Sequence, residues 1–320
     1  MRVSIAMTTY NGAEHLVAQL DSFLAQSVLP TELVVCDDGS TDNTVEILLG
    51  FKESAPFKVE IHVNASNLGF TQNFSKAMGL CMGDVVLLSD QDDVWESGKI
   101  RTLLDAFSAN PRAMLIVHDG KLVDADLGWQ GVTKRGQIIA GFGSLESLVI
   151  GALTAYRREF GRFALPVPNG IVGHDQWLHL LARLTGTRLV IDDVLQLIRR
   201  HGSNTSGWIA SSPTRISRWD VFKSQWNTSV AVSYDDRVLI NESAERALVS
   251  IVGGHSNEFD ADVVAGALRF LRDERCALIA RQQLATQGWF GRKYKAIRLL
   301  TSGGYSHFNG YKSLLRDLAR

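Results

Sequence analysis

No uninterrupted apolar stretch in this 320-residue chain reaches the roughly 18 to 20 residues that a membrane-crossing helix needs. The N-terminal apolar run, Val3 to Met7, is too short for the core of a secretory signal and gives way at once to a polar turn. Cysteine is scarce: Cys36, Cys81 and Cys276 are odd in number and widely spaced, which excludes a disulfide framework and suits a reducing compartment. Six prolines and 45% hydrophobic residues exclude a disordered or low-complexity chain. Charge of one sign is missing as well, with 33 basic residues against 34 acidic ones, so no overall field selects nucleic acid. A cytoplasmic globular protein is expected, with any charge-based specificity confined to local clusters.

What is present is an alternation. Short apolar runs at Val3 to Met7, Leu33 to Cys36, Val59 to Val63 and Val85 to Leu88 read as strands. Residues Leu16, Leu20, Phe23 and Leu24 share one helical face, as do Phe70, Phe74, Ala77 and Met78, and Ile100, Leu103, Leu104 and Phe107. Strands alternating with helices predict an open, mostly parallel α/β sheet flanked by helices, whose ligands bind at the carboxyl ends of the strands. Polar clusters fall at those ends: Thr8-Thr9-Tyr10-Asn11-Gly12, Asp37-Asp38-Gly39-Ser40, Asn64 to Gly69, and Asp90 to Asp93. Further on, Ala113 to Val117 reads as a strand, and Trp177, Leu180, Leu181 and Leu184 form a helical stripe that Gly186 ends. From about Pro213 the strand rhythm stops, which predicts a first domain over 1–212 and a smaller, mainly helical region over 213–320.

The densest cluster is "SDQDDVW", where Asp90, Asp92 and Asp93 follow an apolar strand within four positions. A plain solvated turn with one helix-capping Asp is the ordinary explanation of such a loop. Carboxylates this close repel one another unless a cation neutralises them. A strand-end pair spaced by one residue suits Mg²⁺ or Mn²⁺, which keep several positions for water and phosphate oxygens. A phosphate-bearing substrate follows. Asp37 to Asn43 reads as turn and cap chemistry when taken alone; beside Thr8 to Gly12 it could hold a nucleobase and ribose. Neither G-x-G-x-x-G after the first strand nor a P-loop is present, so dinucleotide and P-loop readings lose their support. His174 and His179 lie five apart and do not repeat the H-E-x-x-H zinc arrangement; supporting or surface positions are expected for both.

In order, "TTYNG", "VVCDDGSTDNT", "NLGF", "LLSDQDDVW", "GHDQWL" and "RRHGSN" resemble the bacterial family two inverting glycosyltransferases with the GT-A fold. The variants are most similar to rhamnosyltransferase-like enzymes of O-antigen or capsule assembly, and the resemblance covers roughly 1–212. It implies nucleotide binding by Thr8, Thr9, Tyr10, Asn11, Asp38, Ser40, Asn67 and Asp90, with Asp38 at the base. It implies Asp92 and His201 at the metal, and Asp175 as general base. Arg199, Arg200, Asp93, Trp95, His174 and Trp177 are implied near the diphosphate or acceptor. The base motif often reads Glu-Asp, whereas here it reads His174-Asp175, which removes a carboxylate role at 174.

The implied donor is a dTDP- or UDP-sugar, and the implied acceptor a lipid-linked glycan under construction. Three rivals are weighed: a catalytically inactive nucleotide-sugar-binding scaffold, a nucleotidyltransferase, and an aspartyl-phosphate hydrolase reading of Asp90-Gln91-Asp92. The last 32 residues hold seven Lys/Arg against one Asp, together with six aromatic residues. Packing on its own domain and docking on an anionic membrane surface are both open for this segment. The sequence leaves the oligomeric state open.

Overall fold

The computed structural model describes residues 1–141, 143–201, 234–254, 258–284, 286–308 and 310–319. Four strands, β1 (Val3–Thr9), β2 (Glu32–Asp37), β3 (Lys58–Val63) and β4 (Val85–Ser89), run parallel in the order β3-β2-β1-β4. Helices α1 (Ala13–Leu24), α2 (Thr44–Ser54) and α3 (Phe70–Leu80) connect them. Every residue of β2 and of β4 is buried, as expected of parallel strands covered on both faces. Even Glu32 is inside, its carboxylate accepting from the Ser4 hydroxyl at 2.6 Å and the Met82 N–H at 2.6 Å.

After β4 the sheet departs from a simple parallel order. Two-residue β5 (Val94–Trp95) precedes α4 (Lys99–Ala109), β6 (Leu115–Val123), β7 (Trp129–Thr133) and α5 (Lys134–Ala140). Then come β8 (Thr154–Arg157), α6 (Arg158–Ala164), α7 (His174–Leu184) and the long β9 (Arg188–Arg199). The complete order is β3-β2-β1-β4-β8-β6-β9-β5, with β7 on β6. Strand β8 lies antiparallel between β4 and β6, while β9 runs parallel to β6 through two register shifts. Because β5 pairs antiparallel with β9, Val94 opposite Leu197, the segment after β4 is clamped to the far side of the sheet.

The expected helical stripes form the core: Leu16, Leu20, Phe23, Ile100, Leu103 and Phe107 pack with Ile5, Met7, Val35 and Leu87. Register sets the rim, pairing Thr9 with Asp37, Asp37 with Val63 and Met7 with Ser89, so the polar loops leave the sheet side by side. Trp177 anchors α7; it is buried, and its indole N–H donates to the Ala164 carbonyl at 2.7 Å.

Residue contacts divide the chain into two compact units, Met1–Arg183 with Thr187–Ser229, and Leu184–Gly186 with Val230–Arg320. The expected boundary near residue 212 and the stretch 213–233 lie outside the described residues. In the second unit are α8 (Asp235–Gly254), α9 (Ala261–Gln282), α10 (Trp289–Thr301) and α11 (Tyr311–Ala319). Helices α8 and α9 are joined by Arg237–Glu274 at 2.7 Å, by Arg275–Glu245, and by the Asn241 amide donating to Leu271 O at 2.8 Å. Arg281–Asp317 at 2.8 Å, with the Tyr305 hydroxyl donating to Asp317 at 3.0 Å, ties α9 to α11 over a core of Ala277, Leu284, Ala296, Leu299, Tyr305 and Leu314. Among the described residues no helix is long and apolar enough to cross a membrane.

The Trp177→Ala substitution is expected to destabilise the first unit by about 3–5 kcal/mol, through lost burial and a cavity. Chemical denaturation measures this; a loss under about 1 kcal/mol would mean that Trp177 does not anchor α7.

Candidate active site

The rim begins at the end of β1. The Thr9 hydroxyl donates to Asp37 at 2.7 Å, and the other Asp37 oxygen accepts from the N–H groups of Gly39 and Ser40 at 3.1 and 2.8 Å. Asn11 adopts φ +47°, and its side-chain oxygen accepts from the Thr41 N–H at 2.8 Å while its own N–H donates to the Ser40 hydroxyl at 2.9 Å. Asp38 is buried and ties its own loop to the one between β3 and α3: it accepts from Asn64 at 2.8 Å, from the Leu68 N–H at 2.8 Å and from the Gly69 N–H at 2.9 Å. Asn67 reaches the Asp38 carbonyl at 3.3 Å. Thr8 stands opposite Cys36 in the β1–β2 register, and Tyr10 is exposed above the rim. The backbone of Tyr10 is gripped by Gln91, which accepts from its N–H at 2.8 Å and donates to its carbonyl at 3.1 Å. A Cβ at Gly12 would lie 2.2 Å from the Gln91 side-chain oxygen, so any larger residue there would push Gln91 off its hold on Tyr10.

The three aspartates after β4 each offer an oxygen within 4.8 Å of the others. They resolve their repulsion differently. Asp93 is buried and accepts from the Arg199 N–H at 3.0 Å and from the Gln196 amide, which fastens the loop to β9. Burial, then the charges of Asp92 and Asp90, push its carboxyl well above the ordinary range. Buried Lys99 sits nearby, donating to Gln196 at 2.6 Å and to the Ala152 carbonyl at 3.2 Å, with its ammonium 3.8 Å from the Trp95 ring centroid. Desolvation, then Asp92 and Asp175, raise Asp90 from 3.8 to about 7, against the pull of Lys99. Asp92 instead meets His201, carboxylate to Nε2 at 2.8 Å, while its carbonyl accepts from Arg199 Nε at 2.8 Å. The His201 ring in turn lies 4.7 Å from that of His15 on α1, tilted by 54°. Burial, then the Arg199 charge, lowers the pKa of His15.

Asp90, Asp92 and His201 Nε2 form a donor set that fits Mn²⁺ or Mg²⁺, with hard oxygens and one imidazole. The raised Asp90 carboxyl marks the negative charge that a cation would offset.

Asp175 stands in the first turn of α7 and accepts from the Gln176 N–H at 2.8 Å. Burial raises its carboxyl, partly offset by the N–H groups of Gln176, Asp175 and Gly151. Its charge acts on Asp90, so the two carboxylates belong to one electrostatic region. The preceding His174 is not a surface group. Buried, it stacks on Phe74 at 4.0 Å, neither ring nitrogen has a hydrogen-bond partner among the described residues, and burial lowers its pKa to about 3.

Burial settles several placements. Of the two positions expected for His179, supporting or surface, the surface one is removed: the ring is wholly buried, Arg188 donates to its Nδ1 at 2.9 Å, and Nε2–H faces the Thr154 hydroxyl at 2.9 Å. Trp95 packs edge-on against Phe23 at 4.7 Å, and Trp177 serves as the α7 anchor, so neither indole lines the rim. Arg199 spends its guanidinium on the carbonyls of Asp92 and Ala125. Arg200 is drawn to Asp92 and Asp93, although burial lowers its pKa overall. Sequence reasoning missed His15, Lys99 and Gln196, and did not assign Gln91 its grip on Tyr10. Of these, Gln91 alone lay within a motif already singled out.

An open sheet whose strand ends carry a carboxylate pair, an imidazole and a carboxylate at a helix start defines a GT-A-type transferase domain. Residues 4–160 match the family model described as glycosyl transferase family 2, so this chain carries a family 2 glycosyltransferase domain. An uncharacterized glycosyltransferase of Nostoc sp. is 30% identical over 126 residues, which cover 39% of this chain and 38% of that protein. The dTDP-rhamnosyl transferase RfbG of Shigella flexneri is 27% identical over 263 residues, 76% of this chain and 89% of RfbG. Among solved structures, Staphylococcus aureus TarS 1–349 in complex with UDP aligns with a TM-score of 0.56 at 16% identity, over 86% of this chain and 71% of that one. The mannosyltransferase PcManGT of Pyrobaculum calidifontis, in complex with GDP-Man and Mn²⁺, aligns with a TM-score of 0.51 at 16% identity, over 96% and 85%.

The Asp90 shift carries a pH dependence. Between pH 3.8 and about 7 the unfolded chain has released this proton and the folded chain still holds it, so the Asp90 contribution to stability falls as pH rises through that window. In chelator, Asp90→Asn is expected to raise the thermal midpoint relative to the parent protein at pH 8 more than at pH 5. An equal effect at both pH values would remove the shift from the account.

Proposed function

We propose that this protein is a metal-assisted, inverting glycosyltransferase. It moves a sugar from a nucleoside diphosphate, of dTDP-rhamnose or UDP-hexose type, to a hydroxyl of a growing, lipid-linked surface glycan. The observation that carries the reading is the Asp92–His201 pair at 2.8 Å beside Asp90, with Asp175 acting on Asp90 across the same rim. The names of RfbG, a dTDP-rhamnosyl transferase, and TarS, solved with UDP, support the donor class.

In this reading Thr8, Thr9, Tyr10, Asn11, Asp38, Ser40 and Asn67 shape the nucleoside pocket. Asp38 acts chiefly by holding the Leu68–Gly69 turn in place. Asp90, Asp92 and His201 would hold the divalent ion, which when bound supplies positive charge against the departing diphosphate. Arg200 adds charge from the chain itself. The acceptor oxygen bonds to the anomeric carbon as the bond from that carbon to the diphosphate oxygen breaks; the electron pair leaves with the diphosphate, and the acceptor proton passes to Asp175. Burial makes Asp175 a stronger base than an ordinary aspartate, which suits that role. The domain division at about residue 212 and a cytoplasmic location, peripheral to the inner membrane face, belong to the same proposal.

Asp175→Asn is expected to keep donor binding while lowering kcat by roughly 10² to 10⁴. Mass spectrometry of glycan products from a panel of dTDP- and UDP-sugars reads the transfer. Undiminished transfer by the variant would remove Asp175 as base. Tight donor binding by the parent protein with no transfer would favour the scaffold reading.

A further inference from the structure

Helix α10 turns its apolar side chains both ways. Ala296 and Leu299 are buried in the core of the second unit. On the opposite face Phe290, Tyr294 and Ile297 follow at helical spacing and are 82%, 70% and 55% exposed. Trp289 beside them is exposed too, with Lys293 Nζ 3.6 Å from its ring centroid. The helix contains Arg292, Lys293, Lys295 and Arg298 and no acidic residue. Arg292 is engaged with the carbonyls of Leu284 and Gln287 at 3.3 and 3.2 Å. Helix α11 adds exposed Tyr311 and Leu315, next to Lys312 and Arg316, and one acidic residue, Asp317, which is paired with Arg281.

We infer that the outer face of α10 is a docking surface for an anionic lipid bilayer. Large apolar groups left in water mark an interaction site. Charge decides among the occupants. A second copy on this face would set cation against cation, whereas an anionic bilayer accepts the aromatic side chains at its interface and the lysines and arginine at its headgroups. With no helix able to cross a membrane among the described residues, attachment here is to the surface. The proposal does not depend on donor or metal binding.

The test uses the full chain with sedimenting vesicles of phosphatidylglycerol and phosphatidylethanolamine, and with vesicles of phosphatidylcholine alone. Binding to the anionic vesicles, weakened by salt, is expected. Replacing Lys293, Lys295 and Arg298 by Gln should weaken it roughly 100-fold, at about one kcal/mol for each cation near the surface. The triple variant Phe290→Ser, Tyr294→Ser, Ile297→Ser should also lose it, while circular dichroism and nucleotide-sugar binding stay unchanged. No binding by the parent protein, or equal binding by the apolar variant, would overturn the proposal. A dimer detected by light scattering and abolished by the apolar variant, with vesicle binding unaffected, would assign the face to self-association instead.

Discussion

Like charge packed at the end of a buried strand is the constraint around which the rim is arranged. Three carboxylates cannot all stay ionised within 4.8 Å of one another without compensation. Burial and the neighbouring carboxylates push Asp93 toward its neutral form, the Arg199 N–H opposes them, and its bonds to Arg199 and Gln196 hold β9 against the loop after β4. Lys99, also buried, pulls the carboxyls of Asp90 and Asp93 down, while burial holds its own pKa well below the ordinary lysine value. Asp92 is the member left facing an imidazole. Structure and chemistry therefore divide one short segment, the first Asp and the second toward the rim, the third toward the sheet.

The same division explains the sheet's irregular half. A two-residue strand such as β5 has little stability alone, yet pairing with β9 brings Arg199 to the Asp92 carbonyl and His201 to its carboxylate. Two segments about a hundred residues apart in sequence are joined by a few hydrogen bonds with charged partners, Arg199 to the Asp92 carbonyl and His201 to its carboxylate, and such bonds are stronger than neutral ones.

Much of the first half was legible because each element carried its own signal. The buried runs of β1, β2 and β4 and the stripes on α1, α3 and α4 depend on local periodicity, and burial matches them except at Leu24 and Phe70, which are exposed. Helix α2 escaped notice because it buries few apolar side chains, chiefly Leu48 and Phe51. Strands β7 and β8 are short, and in β9 the apolar residues Leu189 to Ile191 are cut off by Asp192-Asp193 and only partly buried, which blurs its signal. At the rim, motif residues were found because several lie in one short stretch each. His15 was missed because nothing in α1 links it to a residue 186 positions away; only folding makes that pair. The resemblance put Trp95 and Trp177 in the diphosphate or acceptor vicinity, and both are packed inward, where their large area is buried.

The central claim is that the carboxylate and imidazole group at the β4 end holds a divalent ion together with a nucleotide-sugar. Calorimetric titration of the parent protein and of Asp92→Ala with UDP- and dTDP-sugars, in Mn²⁺, in Mg²⁺ and in chelator, tests it directly. The account predicts metal-dependent donor binding that the substitution weakens by at least about tenfold, the loss of one charged ligand being worth well over a kcal/mol. Binding that is equally tight in chelator and in the variant, or no binding of any nucleotide-sugar under any metal condition, would contradict it.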